Sequence, residues 1–239
     1  MGQARDFYKE ALQILNQHQF KFLVGGAFAL KYHTGVTRDT KDLDIFCTSG
    51  EYPKILKTMA RLGYKTEITD ARWIAKAMKD EHFIDFIFST VNNICSVDET
   101  WFDHSIKGEL FDLPVNFVSA EDLFWCKIYV QNRDHYDGAD LNHLILKKGH
   151  KMNWNKIMNR LEQHWHLLLA QFLNFQFIYP SERDRVPRWL FDELIQRAQD
   201  QYELPVSIER ICRGPLIEHS EYNPDIMNWN YKIITVNKL

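Results

Sequence analysis

Apolar residues recur along the first part of the chain at helical and then at strand spacing. From Ala4 to Gln17, Phe7, Ala11, Leu12 and Leu15 share one face, which predicts an opening amphipathic helix. A short apolar strand from Phe20 to Val24 follows and ends at Gly25-Gly26, with a second helix over Ala27 to Tyr32. After a polar loop, Leu43 to Cys47 reads as a strand and Tyr52 to Leu62 as a helix closed by Gly63. Period-two segments then predict strands at Tyr64 to Ile68, Trp73 to Met78 and Phe83 to Phe88, and a hairpin over Ile106 to Val118.

The pattern changes near Ser119. Ser119-Ala-Glu-Asp122 before Leu123-Phe-Trp is a capping-box signal for a helix over Glu121 to Gln131. Further helices are predicted at Gly138 to Leu146, Trp154 to Gln163, the very apolar Leu167 to Phe177, and Pro187 to Gln201. The tail from Val206 to Leu239, with Pro215 and Pro224, reads as irregular chain packed on the body. The expected class is α/β of the α+β kind: a mixed-sheet core over residues 1–118, then a mainly helical region over 119–239 that completes a cleft.

Composition narrows what such a chain can be. With 239 residues, 45% hydrophobic and 26% charged, it can bury a sizeable core and is not a disordered or low-complexity protein. A net charge of −3 gives no general attraction to DNA, so any polyanion must be held locally. Cys47, Cys95, Cys126 and Cys212 form no Cys-x-x-Cys pair, which points to buried thiols rather than zinc or disulfides. No apolar run suggests a membrane span, and the N-terminus lacks a signal core and the myristoylation pattern, so a cytoplasmic location is expected.

The candidate chemistry begins at Asp42-Leu-Asp44-Ile-Phe46. Strand alternation sends both carboxylates to one face and Leu43 and Ile45 to the other. Two like charges so placed suit a hard divalent cation, although an exposed strand end with two solvated acids has the same pattern. Asp85, inside Phe83-Ile-Asp-Phe-Ile-Phe88, has no neutralising neighbour in that stretch, so it is expected at a shared metal, at the strand's open end, or paired with a Lys or Arg. Gly25-Gly26, between a strand and a helix, lets the backbone approach a phosphate, or makes a tight turn. Neither the Gly-x-Gly-x-x-Gly fingerprint nor a P-loop is present.

Taken in order, Phe22-Leu-Val-Gly-Gly-Ala-Phe-Ala-Leu and Arg38-Asp-Thr-Lys-Asp-Leu-Asp-Ile-Phe46 resemble the signature of the polymerase-β-like nucleotidyltransferase superfamily. The likeness is to its small bacterial members, the minimal nucleotidyltransferases and their toxin-antitoxin and abortive-infection relatives. It covers Phe20 to Phe88 and extends more loosely through Ser119–Lys127 to Asp137-Gly-Ala-Asp140. Fifteen residues separate Gly26 from Asp42, a longer gap than usual for that signature.

The resemblance implies transfer of a nucleotide from a nucleoside triphosphate, such as ATP, to an acceptor hydroxyl with loss of pyrophosphate. It implies two Mg2+ ions, or Mn2+ in their place, both bound by Asp42 and Asp44, with Asp85 completing the ion nearer the attacking hydroxyl. Gly25, Gly26, Arg38, Lys41 and Lys127 are the implied nucleotide contacts, with Arg38 and Lys41 otherwise exposed loop cations and Lys127 otherwise a snorkelling or acid-paired lysine. Asp137 reads as a helix N-cap with Asp140 in the first turn. His164 and His166, two apart, do not share a helix face and are not expected to hold a metal.

The acceptor is open between a protein, a tRNA end and a small molecule, and no basic stripe points to RNA. Three rivals remain: a metal-dependent glycosyltransferase using Asp-x-Asp; a helical ribonuclease read from Arg160 to His166 or Arg213 to His219; and an antitoxin-like binding module that keeps the fold and clasps a protein.

Overall fold

The computed structural model describes residues 2–233, which divide into two units, 2–123 and 124–233. Residues 234–239 of the expected irregular tail lie outside the described residues.

The first unit runs α1 (Gly2–Gln17), β1 (Leu23–Val24), α2 (Gly26–Thr34), β2 (Asp42–Phe46), α3 (Tyr52–Arg61), β3 (Lys65–Asp70), β4 (Ile74–Lys79), β5 (His82–Ile87), α4 (Glu99–Asp103), β6 (Ile106–Leu110) and β7 (Leu113–Phe117). These strands form one seven-stranded sheet in the order β3-β4-β5-β2-β1-β7-β6. The β1–β7 and β2–β5 pairs are parallel and the others antiparallel, so the sheet is mixed. Leu43 and Ile45 of β2 and Ile84 and Phe86 of β5 are fully buried. Helix α1 adds Ala11, Leu12 and Leu15 to this core, as its apolar stripe predicts.

Two details depart from the sequence pattern. Only Leu23 and Val24 of the expected Phe20–Val24 strand join the sheet, between β2 and β7, while the Phe20 amide still donates back to the Leu15 carbonyl of α1 at 3.1 Å. Helix α4 was not foreseen; Asp98 caps it by accepting from the Thr100 amide at 2.9 Å, and it carries the buried Trp101, stacked on Phe46.

Helix α5 (Ala120–Lys127) starts as the capping box predicts: the Ser119 hydroxyl accepts from the Asp122 amide at 3.1 Å and donates to its carboxylate at 2.7 Å. It stops four residues before the expected Gln131. The Gln131 side chain donates to the Ile128 carbonyl, and residues 130–137 close a small loop through the Asp137 amide and the Val130 carbonyl.

The second unit continues with α6 (Gly138–Lys148), α7 (Trp154–Leu161), α8 (Trp165–Ile178) and α9 (Arg188–Glu203). Its core is centred on Phe124, Trp154 and Phe172, which meet edge to face, with Leu168 and Phe175 from the buried side of α8. The tail is not wholly irregular, which corrects the sequence expectation. A short parallel pair, β8 (Ile211–Cys212) and β9 (Lys232–Ile233), flanks α10 (His219–Asn228). Glu218 caps α10 by accepting from the Ser220 amide at 2.8 Å, and Pro224, which reads as a breaker, sits inside it. No helix among the described residues is long and apolar enough to cross a membrane.

Candidate active site

Strand alternation puts Asp42 and Asp44 on the same side of β2, and the parallel register with β5 sets Asp44 directly beside Asp85. One ligand oxygen from each of Asp42, Asp44 and Asp85 lies within 4.8 Å of the other two. The Thr40 hydroxyl donates to Asp42 Oδ1 at 2.7 Å, which fixes that carboxylate from the loop before β2. All three donors are hard oxygens, the ligand type Mg2+ prefers, and their convergence on one point is what such an ion requires.

Gly25 and Gly26 bring the start of α2 against this cluster. The Gly25 amide donates to the Asp44 carbonyl at 2.9 Å, and the first helical bond of α2 runs from the Ala29 amide to the Gly25 carbonyl. The amides of Gly26, Ala27 and Phe28 precede that bond, so they have no acceptor within the helix. Gly26 has φ 50°, and a β-carbon there would lie 1.7 Å from Asp44 Oδ2; at Gly25 it would meet the Phe46 ring at 2.2 Å. At Gly26 the space a side chain would fill is thus occupied by the Asp44 carboxylate.

Two residues at this site were not foreseen. Lys76 of β4 stands directly opposite Asp85 in the β4–β5 hairpin, and its Nζ is 3.0 Å from Asp85 Oδ1. The partner Asp85 needs is therefore present as a lysine as well as two neighbouring acids. Burial pushes the Asp85 carboxyl up, Lys76 pulls it down, Asp42 pushes it up again, and the outcome is above the ordinary carboxylate range. Tyr8 of α1 is buried against the cluster, and burial first, then the charges of Asp42, Asp44 and Asp85, hold its phenol above the usual value. A lone Lys in the apolar run Ile74-Ala-Lys-Ala-Met78, three residues and a two-residue turn before Asp85's strand, was a readable signal for the first; Tyr8 gave none beyond its helical phase.

The remaining candidates are placed differently. Arg38 and Lys41 lie exposed on the loop before β2. Lys127, in the second unit, donates to Asp137 Oδ2 at 2.8 Å and pairs with Asp140 Oδ2 at 2.7 Å. Burial lowers the Lys127 ammonium's pKa, but Asp137 and Asp140 together outweigh it and hold the group above its ordinary value. Asp137 occupies the N-cap position of α6 without a side-chain cap bond, because its carboxylate is turned to Lys127. His164 is buried and its Nδ1 meets the Tyr129 hydroxyl at 2.8 Å, while His166 bonds Gln201, so the two histidines do not act as a pair.

Several solved structures resemble the chain at low identity. A lincosamide antibiotic adenylyltransferase, LnuA, with lincomycin bound, aligns with TM-score 0.43 and 16% identity over 59% of this chain and 94% of that one. ANT(2")-Ia in complex with adenylyl-2"-tobramycin aligns with TM-score 0.43 and 15% identity, covering 75% and 99%. An antigenic nucleotidyltransferase-like protein from Paracoccidioides brasiliensis gives TM-score 0.43 and 12% identity, covering 74% and 90%. No match was found among curated proteins. The sequence itself matches, over residues 4–165, a family described as nucleotidyl transferases of unknown function (DUF2204), and the chain belongs to that family.

Proposed function

We propose that this nucleotidyltransferase moves a nucleotide from a nucleoside triphosphate to an acceptor hydroxyl and releases pyrophosphate, with Asp42, Asp44 and Asp85 holding Mg2+. The observation that carries this reading is the convergence of the three carboxylates within 4.8 Å beside the open amides of α2. A divalent ion at such a site supplies charge stabilisation to the phosphoryl oxygens and acidifies the attacking hydroxyl.

The chain's own residues do the rest. The amides of Gly26, Ala27 and Phe28, at the positive end of α2, are placed to receive phosphate oxygens, and Arg38 and Lys41 extend the cationic side of the site. Thr40 keeps Asp42 in one orientation. Asp85, with its raised proton affinity, is the carboxylate suited to accept the proton as the acceptor oxygen bonds to the α-phosphorus and the bond to the β-phosphate oxygen breaks. Lys127, already satisfied by two acids, is assigned to the second unit's interior rather than to the triphosphate.

The net charge of −3 favours a protein or a small molecule over RNA as acceptor. The test is incubation with each α-labelled triphosphate, Mg2+ or Mn2+ and a cell lysate. Label in one acceptor together with free pyrophosphate is expected, and no label from any triphosphate contradicts the reading. That second result would favour the binding-module alternative, for which the Lys76–Asp85 ion pair is the one specific observation.

A further inference from the structure

Lys76 is built into the acid site rather than merely close to it. The antiparallel register makes it the cross-strand neighbour of Asp85, and its side chain is only 26% exposed. Its ammonium has the carboxylate at 3.0 Å and lies over the Phe83 ring, 4.3 Å from the centroid. Asp85 Oδ1 is itself buried, so that oxygen faces the lysine and not solvent. An ion placed to use Asp85 as well would have to sit beside the ammonium, against direct repulsion.

We propose, resting on the nucleotidyltransferase reading above, that Lys76 is the resident counter-cation of the third acid and limits the nucleotide-free site to one divalent ion, held through Asp42 and Asp44, with Asp85 joining the ligand set only when the triphosphate is bound. Asp85 is then positioned by Lys76, with one oxygen tied back and the other left toward the acceptor. Lys76 is a positioning residue in this account and touches no reacting atom.

The test is Mn2+ titration of the full-length protein without nucleotide, with free Mn2+ read by electron paramagnetic resonance. The parent is expected to bind one ion. Lys76→Met keeps the aliphatic stem against Phe83 and removes the charge, so it should bind a second ion, or the first about tenfold more tightly. Lys76→Arg should behave as the parent does. Should Lys76→Met fail to fold by circular dichroism, Lys76→Gln is read in its place, and the parent's stoichiometry is decisive in either case. Two ions in the parent, or an unchanged or weaker isotherm in the charge-removing variant, overturn the proposal and leave the acid site itself standing. If Asp42→Asn with Asp44→Asn binds Mn2+ as the parent does, or the parent binds none, the reading beneath the proposal fails with it.

Discussion

At the scale of single residues the most constrained position is Gly26. Its φ of 50° would cost an alanine about 1 kcal/mol on backbone grounds, and the Asp44 oxygen 1.7 Å from the would-be β-carbon adds a clash that only movement of the carboxylate relieves. Gly26→Ala is expected to destabilise the protein by about 2 kcal/mol or more in urea unfolding and to weaken Mn2+ binding. Gly35 separates the two causes: its φ is 77° with nothing within 4 Å, so Gly35→Ala should show the backbone penalty alone and leave metal binding unchanged. Cys47 makes a different prediction. Burial first, and Glu51 second, push its thiol up to about 12, so it carries almost no thiolate near neutrality. Iodoacetamide at pH 8 should label Cys212, which is partly exposed, well before Cys47, Cys95 or Cys126; early labelling of Cys47, read by peptide mass spectrometry, would contradict its placement.

At the scale of elements, α5 and α6 are tied by the Lys127 ion cluster. Removing one member of a buried ion pair leaves uncompensated charge, so Lys127→Met should destabilise by about 3 to 5 kcal/mol, and adding Asp140→Asn should recover part of that loss. A single variant no less stable than the parent would mean the cluster contributes nothing. The start of α8 predicts a pH response. Burial, then Arg213 and His166, lower the His164 pKa, with Glu162 opposing. A folded pKa below the unfolded value means stability is complete above about pH 6.5 and is lost as pH falls through the folded pKa. His164→Gln should flatten that part of a melting-temperature profile between pH 5 and 7.5.

These elements also show what the sequence could reveal. Alternation alone placed Asp42 and Asp44 together, and the apolar run around Asp85 announced a strand with an acid to satisfy. Their meeting was not legible locally, because the pairing of β2 with β5 bypasses two intervening strands and is decided by the packing of the whole sheet. The lysine opposite Asp85 was within reach: the turn at Asp80-Glu81 pairs Lys79 with His82, and counting back along the hairpin pairs Lys76 with Asp85. Helix α10 is not legible from Pro224, which reads as a breaker, yet the chain is helical on both sides of it from a cap at Glu218.

At the scale of the whole molecule, a weakly acidic chain confines its attraction for a polyanion to one local site. Every residue assigned to metal and phosphate lies in the first unit, on β2, β5 and the start of α2 or in the loop between them. Nucleotide binding should therefore require the divalent ion and fail together with the acids, while the fold survives their replacement by amides of the same shape. The direct measurement is isothermal titration of each ribonucleoside triphosphate with Mg2+ into the parent and into Asp42→Asn with Asp44→Asn, both shown to be folded by circular dichroism. At least one triphosphate should bind the parent only when Mg2+ is present and fail to bind the double variant. Equal binding to both proteins, or none to the parent with any triphosphate, would contradict the account.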